Sequence, residues 1–192
     1  MLGAALGTLL DGIHAYGDVL AYADPTFGRW AWFVPLEFGF LGLGAGLVVP
    51  SLERTVAPGV PLRWSLTRRA VETLLFCGLY VATVIGNGEQ TALLVLGLGA
   101  LAGLRLVSSS APGDWAYVCA AAVLGPGAEA ALSALGPFEY LDPDIAGIPF
   151  WLPALWANAG FLIRRLVQPL VLPTTELTTR TRRARRTAAG RS

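Results

Sequence analysis

Residues 30–53 read WAWFVPLEFGFLGLGAGLVVPSLE, and between Ala31 and Ser51 the only ionisable side chain is Glu37. A helix needs about 20 apolar residues to cross the ~30 Å hydrocarbon core of a bilayer, so this stretch is read as a transmembrane helix running from an aromatic mouth to Pro50 and Glu53. Gly39, Gly42 and Gly46 fall near one of its faces, with Gly42 and Gly46 in GxxxG register. Missing side chains at such positions let another backbone, or a ligand, come close.

The rest of the chain is similar in character. Of 192 residues 54% are hydrophobic and 14% charged, more apolar content than a soluble domain of this size needs. Apolar spans are expected at about 2–21, 30–49, 66–85, 90–107, 115–136 and 148–170. They lack strand alternation, and lipid admits only helices or closed barrels. The expected fold is therefore all-α: a bundle of six transmembrane helices in one domain, residues 1–172, joined by short linkers. Residues 173–192 form a basic tail expected to be disordered, read as a topological anchor and not as a nucleic-acid binder. Cys77 and Cys119 have no paired spacing, which argues against a disulfide or a metal site.

All fourteen basic residues are arginine. Arg54, Arg63, Arg68 and Arg69 flank the second connection, Arg105 ends the fourth span, and a group counted as following the sixth runs from Arg164 to Arg191; only Arg29 falls on the other side. The positive-inside rule then puts both termini and the second and fourth connections in the cytoplasm. Asp24, Glu89, Glu139, Asp142 and Asp144 take the opposite face, with Trp30, Trp32, Tyr140 and Trp151 at that interface.

Ala31, Trp32, Val34, Pro35, Gly39, Gly46, Pro50 and Glu53 resemble, without gaps, the second helix of the Insig family of sterol-regulatory membrane proteins. Gly136, Tyr140, Pro143, Asp144, Trp151, Leu152, Pro153 and Gly160 resemble its last luminal loop and sixth helix; Trp64, Ser65 and Arg69 agree more weakly. The resemblance covers about residues 31–166. It implies a six-helix protein with a lipid-accessible central pocket that in animals, in the endoplasmic reticulum, binds oxysterols and pairs with Scap and HMG-CoA reductase. The animal proteins carry a partner-linked aspartate just after helix four, where this chain has Ser108, Ser109 and Ser110, so pairing with animal-type Scap or HMG-CoA reductase does not follow. The arginine-, alanine- and glycine-rich usage resembles a bacterial protein, with the inner membrane as its expected location.

The expected function is binding of an amphipathic lipid, sterol-like or acylglycerol-like, in a pocket around helices two, four, five and six, with lipid-dependent assembly with itself or a partner. No enzyme activity and no cofactor other than a bound lipid is expected. Candidate lipid-binding residues are Trp32, Phe33, Phe38, Gly39, Gly42, Gly46, Gln90, Glu129, Trp151 and Trp156. Ionisable residues within spans face the bundle interior by default, which brings in Glu37, Glu72 and, deepest, Glu129, where Pro126 frees backbone carbonyls. The alternative is a lipid-modifying enzyme or lipid transporter using Asp11, His14 and Glu129. Asp11, His14 and Asp18 share one helical face by spacing, suited to a metal or a proton relay; the competing reading is a wet interior or a frayed end. Gly97, Gly99 and Gly103 are read as a packing face or the contact face of a homo-oligomer.

Overall fold

The structure, a computed structural model, is described for residues 2–58, 64–108 and 111–171. Residues 173–192, read as a disordered tail, lie outside them. Among the described residues there are six helices, α1 (Leu2–Tyr16), α2 (Val34–Val56), α3 (Leu66–Gly86), α4 (Thr91–Ser108), α5 (Asp114–Leu135) and α6 (Leu152–Val171), and two short strands, β1 (Leu20–Tyr22) and β2 (Phe138–Tyr140). The helices α2 to α5 are each long and apolar enough to cross a membrane. The helix α6 lies at the centre, packed against α2, α3, α4 and α5. Ser65 caps α3 by accepting the Arg68 amide, and Pro35 starts α2, where its missing N–H costs no ladder bond.

Three expectations are corrected. The first span, expected over 2–21, ends as a helix at Tyr16: at 1.5 Å per residue α1 is about 22 Å long, and the chain then turns through Asp18 at φ 55° into a strand. Pro50 does not close the second helix, which continues through it to Val56. Arg164 and Arg165 do not follow the sixth span but lie within α6, fully buried.

The strands were not foreseen, because three residues show no alternation to read. They pair antiparallel, Ala21 opposite Glu139, flanked by two backbone bonds of matching form, Ala23 N to Pro137 O (3.0 Å) and Leu141 N to Val19 O (2.9 Å). That pairing exposes a repeat. The constant offset that carries Tyr22 to Tyr140 carries β1 onto β2 and the start of α2 onto that of α6. It also carries the Phe27–Trp30 bridge onto the Ile145–Ile148 bridge. The left-handed residues Asp18 and Gly28 fall on Gly136 and Ala146. Gly7, whose missing Cβ makes room for Phe38, falls on Gly125, which does the same for Trp156. Units α1–β1–α2 and α5–β2–α6 are thus two copies of one hairpin, related by a pseudo-twofold axis through the strand pair, with α3 and α4 inserted between them.

Candidate lipid cavities and the buried charge cluster

The repeat brings two carboxylates to one place. Tyr22, on β1, donates its hydroxyl to Asp11 of α1, and Tyr140, on β2, donates to Glu129 of α5, the same bond in both copies. Burial, and next the neighbouring carboxylate, hold both tyrosine hydroxyls well above their ordinary range, so they stay protonated and donate. Glu129 also accepts from Trp156 Nε1 at 2.6 Å.

These groups stand at the strand end of a cavity of about 510 Å³ between α2, α5 and α6, here the α5-side cavity. Asp11, His14, Glu37, Glu129, Tyr22, Tyr80 and Tyr140 form its polar end; Phe38, Leu41, Ala45, Val48, Leu52, Leu124 and Ile163 are among its apolar walls. A second cavity of about 290 Å³, the α1-side cavity, lies between α1, α2, α3 and α6, with walls that include Gly3, Leu6, Gly7, Gly39, Gly42, Gly46, Leu162 and Leu166. Phe38 and Trp156 belong to both.

The sequence candidates divide accordingly. Phe38, Gly39, Gly42, Gly46, Glu129 and Trp156 line one cavity or both. Gly39 and Gly42 also face α1: a Cβ on Gly42 would stand 3.8 Å from Gly3 Cα, and one on Gly39 3.9 Å from Ala4 Cβ. Helix approach and cavity wall therefore share the same glycines. Trp32 is exposed, Phe33 packs edge-on to Tyr22 at 5.8 Å, and Gln90 is exposed at the start of α4. Trp151 is buried, with Nε1 donating to Asn87 Oδ1 at 3.2 Å. The pocket expectation is corrected in its helices: α4 lines neither of these two cavities, while α1 and α3 do.

The Asp11, His14, Asp18 face does not form. Asp18 lies beyond α1, exposed, and pairs with Arg29 at 2.5 Å. His14 is buried, stacked on Tyr80 at 4.3 Å, with Nε2 2.8 Å from Thr83 Oγ1. Thr83 gives its own proton to Tyr80 O at 2.7 Å, so His14 Nε2 is the donor of that pair. Among the described residues no group of His, Cys, Asp and Glu is placed to hold a metal.

At the opposite end lies a cluster the sequence reading missed. Arg164 bonds Glu53 (Nε to Oε1, 2.7 Å) and Asp114 (2.7 Å); Arg165 pairs with Asp114 (3.1 Å) and Glu72 (3.0 Å); Glu72 also pairs with Arg105, which donates to Asn158 Oδ1 at 3.0 Å. Tyr117 donates to Glu53 at 3.0 Å, and the Arg165 guanidinium lies 4.6 Å from the Trp64 ring centre and 4.9 Å from that of Phe161. Three arginines thus balance three carboxylates from α2, α3, α4, α5 and α6. Glu72, a pocket candidate by sequence, belongs here, and Arg105, Arg164 and Arg165 are internal counter-ions, not anchors in water. Two adjacent arginines in an otherwise apolar helix were the available signal, since buried charge must be paired.

Together, the long apolar helices and the paired internal charges define a helical integral membrane protein. Its fold is that of the crystal structure of MvINS, a mycobacterial Insig homologue from Mycobacterium vanbaalenii, with a TM-score of 0.66 and 22% identity over 87% of this chain and 88% of that one. A cross-linked trimer of an MvINS variant superposes similarly, with a TM-score of 0.65 and 23% identity over the same shares. The chain belongs to the DUF2878 family, described as proteins of unknown function, whose profile matches residues 69–171. No curated protein matches it in sequence.

Proposed function

We propose that this protein binds an amphipathic lipid, sterol-like or acylglycerol-like, in the α5-side cavity. The observation that carries the reading is the form of that cavity: apolar walls closed at the strand end by two acid–tyrosine pairs and Glu37. Phenol protons already satisfy part of the two carboxylates, so what faces the cavity is mainly acceptors, suited to a head that donates hydrogen bonds. The tail lies along Phe38, Leu41 and Ile163. Both termini and the arginine end face the cytoplasm of a bacterial inner membrane, in keeping with Arg54, Arg68 and Arg69 at that end.

Lipid occupancy biases assembly by changing the packing of α2 against α6. Self-assembly through α4 is part of the proposal, because Cβ atoms added at Gly97, Gly99 and Gly103 meet nothing within 4 Å. The enzymatic alternative with Asp11, His14 and Glu129 has all three residues on one cavity, but His14 is already committed to Thr83 and Tyr80. Mass spectrometry of the protein extracted and purified from membranes tests the proposal. A stoichiometric intact lipid supports it; no lipid, or a cleaved product, overturns it.

A further inference from the structure

The three arginines and three carboxylates of the buried cluster cancel, and what lies beyond them at the same end is almost wholly basic. Arg54 and Arg68 are exposed there, on α2 and α3, with Arg69 half-buried beside them. The chain that continues from α6 carries six more arginines against one acid, Glu176. Arg69 enters none of the ion pairs formed among the described residues.

One turn outside the Glu72–Arg165 pair, the seam between α3 and α6 holds polar atoms without partners. Because α3 starts and α6 ends at this end, Arg69, three residues before Glu72, and Gln168, three after Arg165, stand level across the seam. Trp64 joins them, its ring centre 4.6 Å from the Arg165 guanidinium carbon and 4.5 Å from that of Arg68. Trp64 Nε1, Arg69 Nε and Gln168 Oε1 are buried atoms with no hydrogen-bond partner among the described residues, and the whole Gln168 residue is only 3% exposed. None of the three residues lines either cavity.

We propose that this seam binds the head of an anionic phospholipid, a phosphodiester that carries a hydroxyl, as phosphatidylglycerol does, from the leaflet at the arginine end. Arg69 and Trp64 Nε1 donate to the phosphate oxygens, the guanidinium fork matching two of them at once. Gln168 Oε1 can only accept, so it takes the proton of the head hydroxyl and not the phosphate. The acyl chains lie outside, along Val71 and Leu74, which are exposed on α3. Buried donors and acceptors left unmade are costly, and this head supplies a partner to each of the three. The surrounding arginines raise the local density of anionic lipid, an attraction that salt screens. The site is separate from the α5-side cavity and does not rest on the reading given for it.

The test uses the full chain, delipidated in a neutral detergent, with four probes: dioctanoyl-phosphatidylglycerol, dioctanoyl-phosphatidylethanol, which keeps the phosphodiester but has no hydroxyl, dioctanoyl-phosphatidylcholine and inorganic phosphate. Binding is read by native mass spectrometry and by the melting shift on titration. Phosphatidylglycerol should bind about tenfold or more tightly than phosphatidylcholine, with phosphatidylethanol between them. Arg69→Gln should weaken phosphatidylglycerol about tenfold or more. Trp64→Phe, which keeps a ring against both arginines and loses only the N–H donor, should weaken it less, and Gln168→Met should abolish the preference over phosphatidylethanol. Arg29→Gln, at the opposite end, should leave binding unchanged. Equal binding of phosphatidylglycerol and phosphatidylcholine overturns the proposal, as does an unchanged affinity in both Arg69→Gln and Trp64→Phe. Should Arg69→Gln fail to fold, Trp64→Phe alone decides. Inorganic phosphate that displaces phosphatidylglycerol as well as the lipid displaces itself would show a free-anion site and overturn the lipid assignment.

Discussion

Glu129 occupies the position in the second hairpin that Asp11 occupies in the first, and each holds the tyrosine of its own strand. Glu129→Ala should reduce the lipid that co-purifies with the protein, measured as lipid per chain by mass spectrometry; unchanged retention would remove the residue from the site. Arg164 raises a different question, because it neutralises Glu53 and Asp114 where neither meets water. Arg164→Ala leaves two buried carboxylates short of a partner, a change that typically costs about 3–5 kcal/mol. A thermal melt in detergent should show a large fall in stability, and a shift worth less than about 1 kcal/mol would mean that Arg165 can serve both acids. Ala146 holds φ 51° where its repeat counterpart is Gly28 at φ 64°. An L side chain in that region costs about 1–2 kcal/mol, and glycine returns part of this as chain entropy. Ala146→Gly is therefore expected to raise the melting temperature slightly.

At the scale of the helices, glycines fall into two kinds that spacing alone does not separate. A Cβ on Gly160 would lie 2.5 Å from the Tyr117 carbonyl oxygen, and one on Gly125 would lie 2.0 Å from the Trp156 ring; at Gly97, Gly99 and Gly103 it would meet nothing within 4 Å. Backbone cannot move aside as a flexible side chain can, so Gly160→Ala should separate α5 from α6 at a cost of roughly 1–3 kcal/mol or more. Gly97→Ala should leave the monomer's melting temperature unchanged, and any effect should appear as altered oligomer size in light scattering. The proline pattern was legible in part. Pro35 and Pro153 do stand at the starts of α2 and α6, but Pro50 lies inside α2, where the helix ladder on both sides carries the chain across the missing N–H.

For the molecule as a whole, a lipid that binds only the folded state adds about 2.7 kcal/mol at a hundredfold excess over its Kd; delipidated protein should therefore melt lower and recover when the lipid is returned. The apolar runs sufficed to define a helical membrane bundle, because lipid leaves the backbone no alternative to helices and the four runs that became α2 to α5 are each long enough by themselves. The motifs around Trp32–Pro35 and Trp151–Pro153 sufficed for the resemblance, because they are local and ungapped. Glu129 and Phe38 were readable as candidates because a carboxylate or a glycine-flanked aromatic within a span is conspicuous. Which glycines face a neighbour, that Arg105, Arg164 and Arg165 pair with Glu53, Glu72 and Asp114, and that Asp11 and Glu129 meet at one cavity were settled only by tertiary structure. Those facts depend on helices far apart in sequence coming together, and hydropathy reports how apolar a segment is without saying what lies beside it. The internal repeat belongs with them: it survives in a few residues such as Tyr22 and Tyr140, and the antiparallel pairing of β1 with β2 is what places the two copies about a common axis.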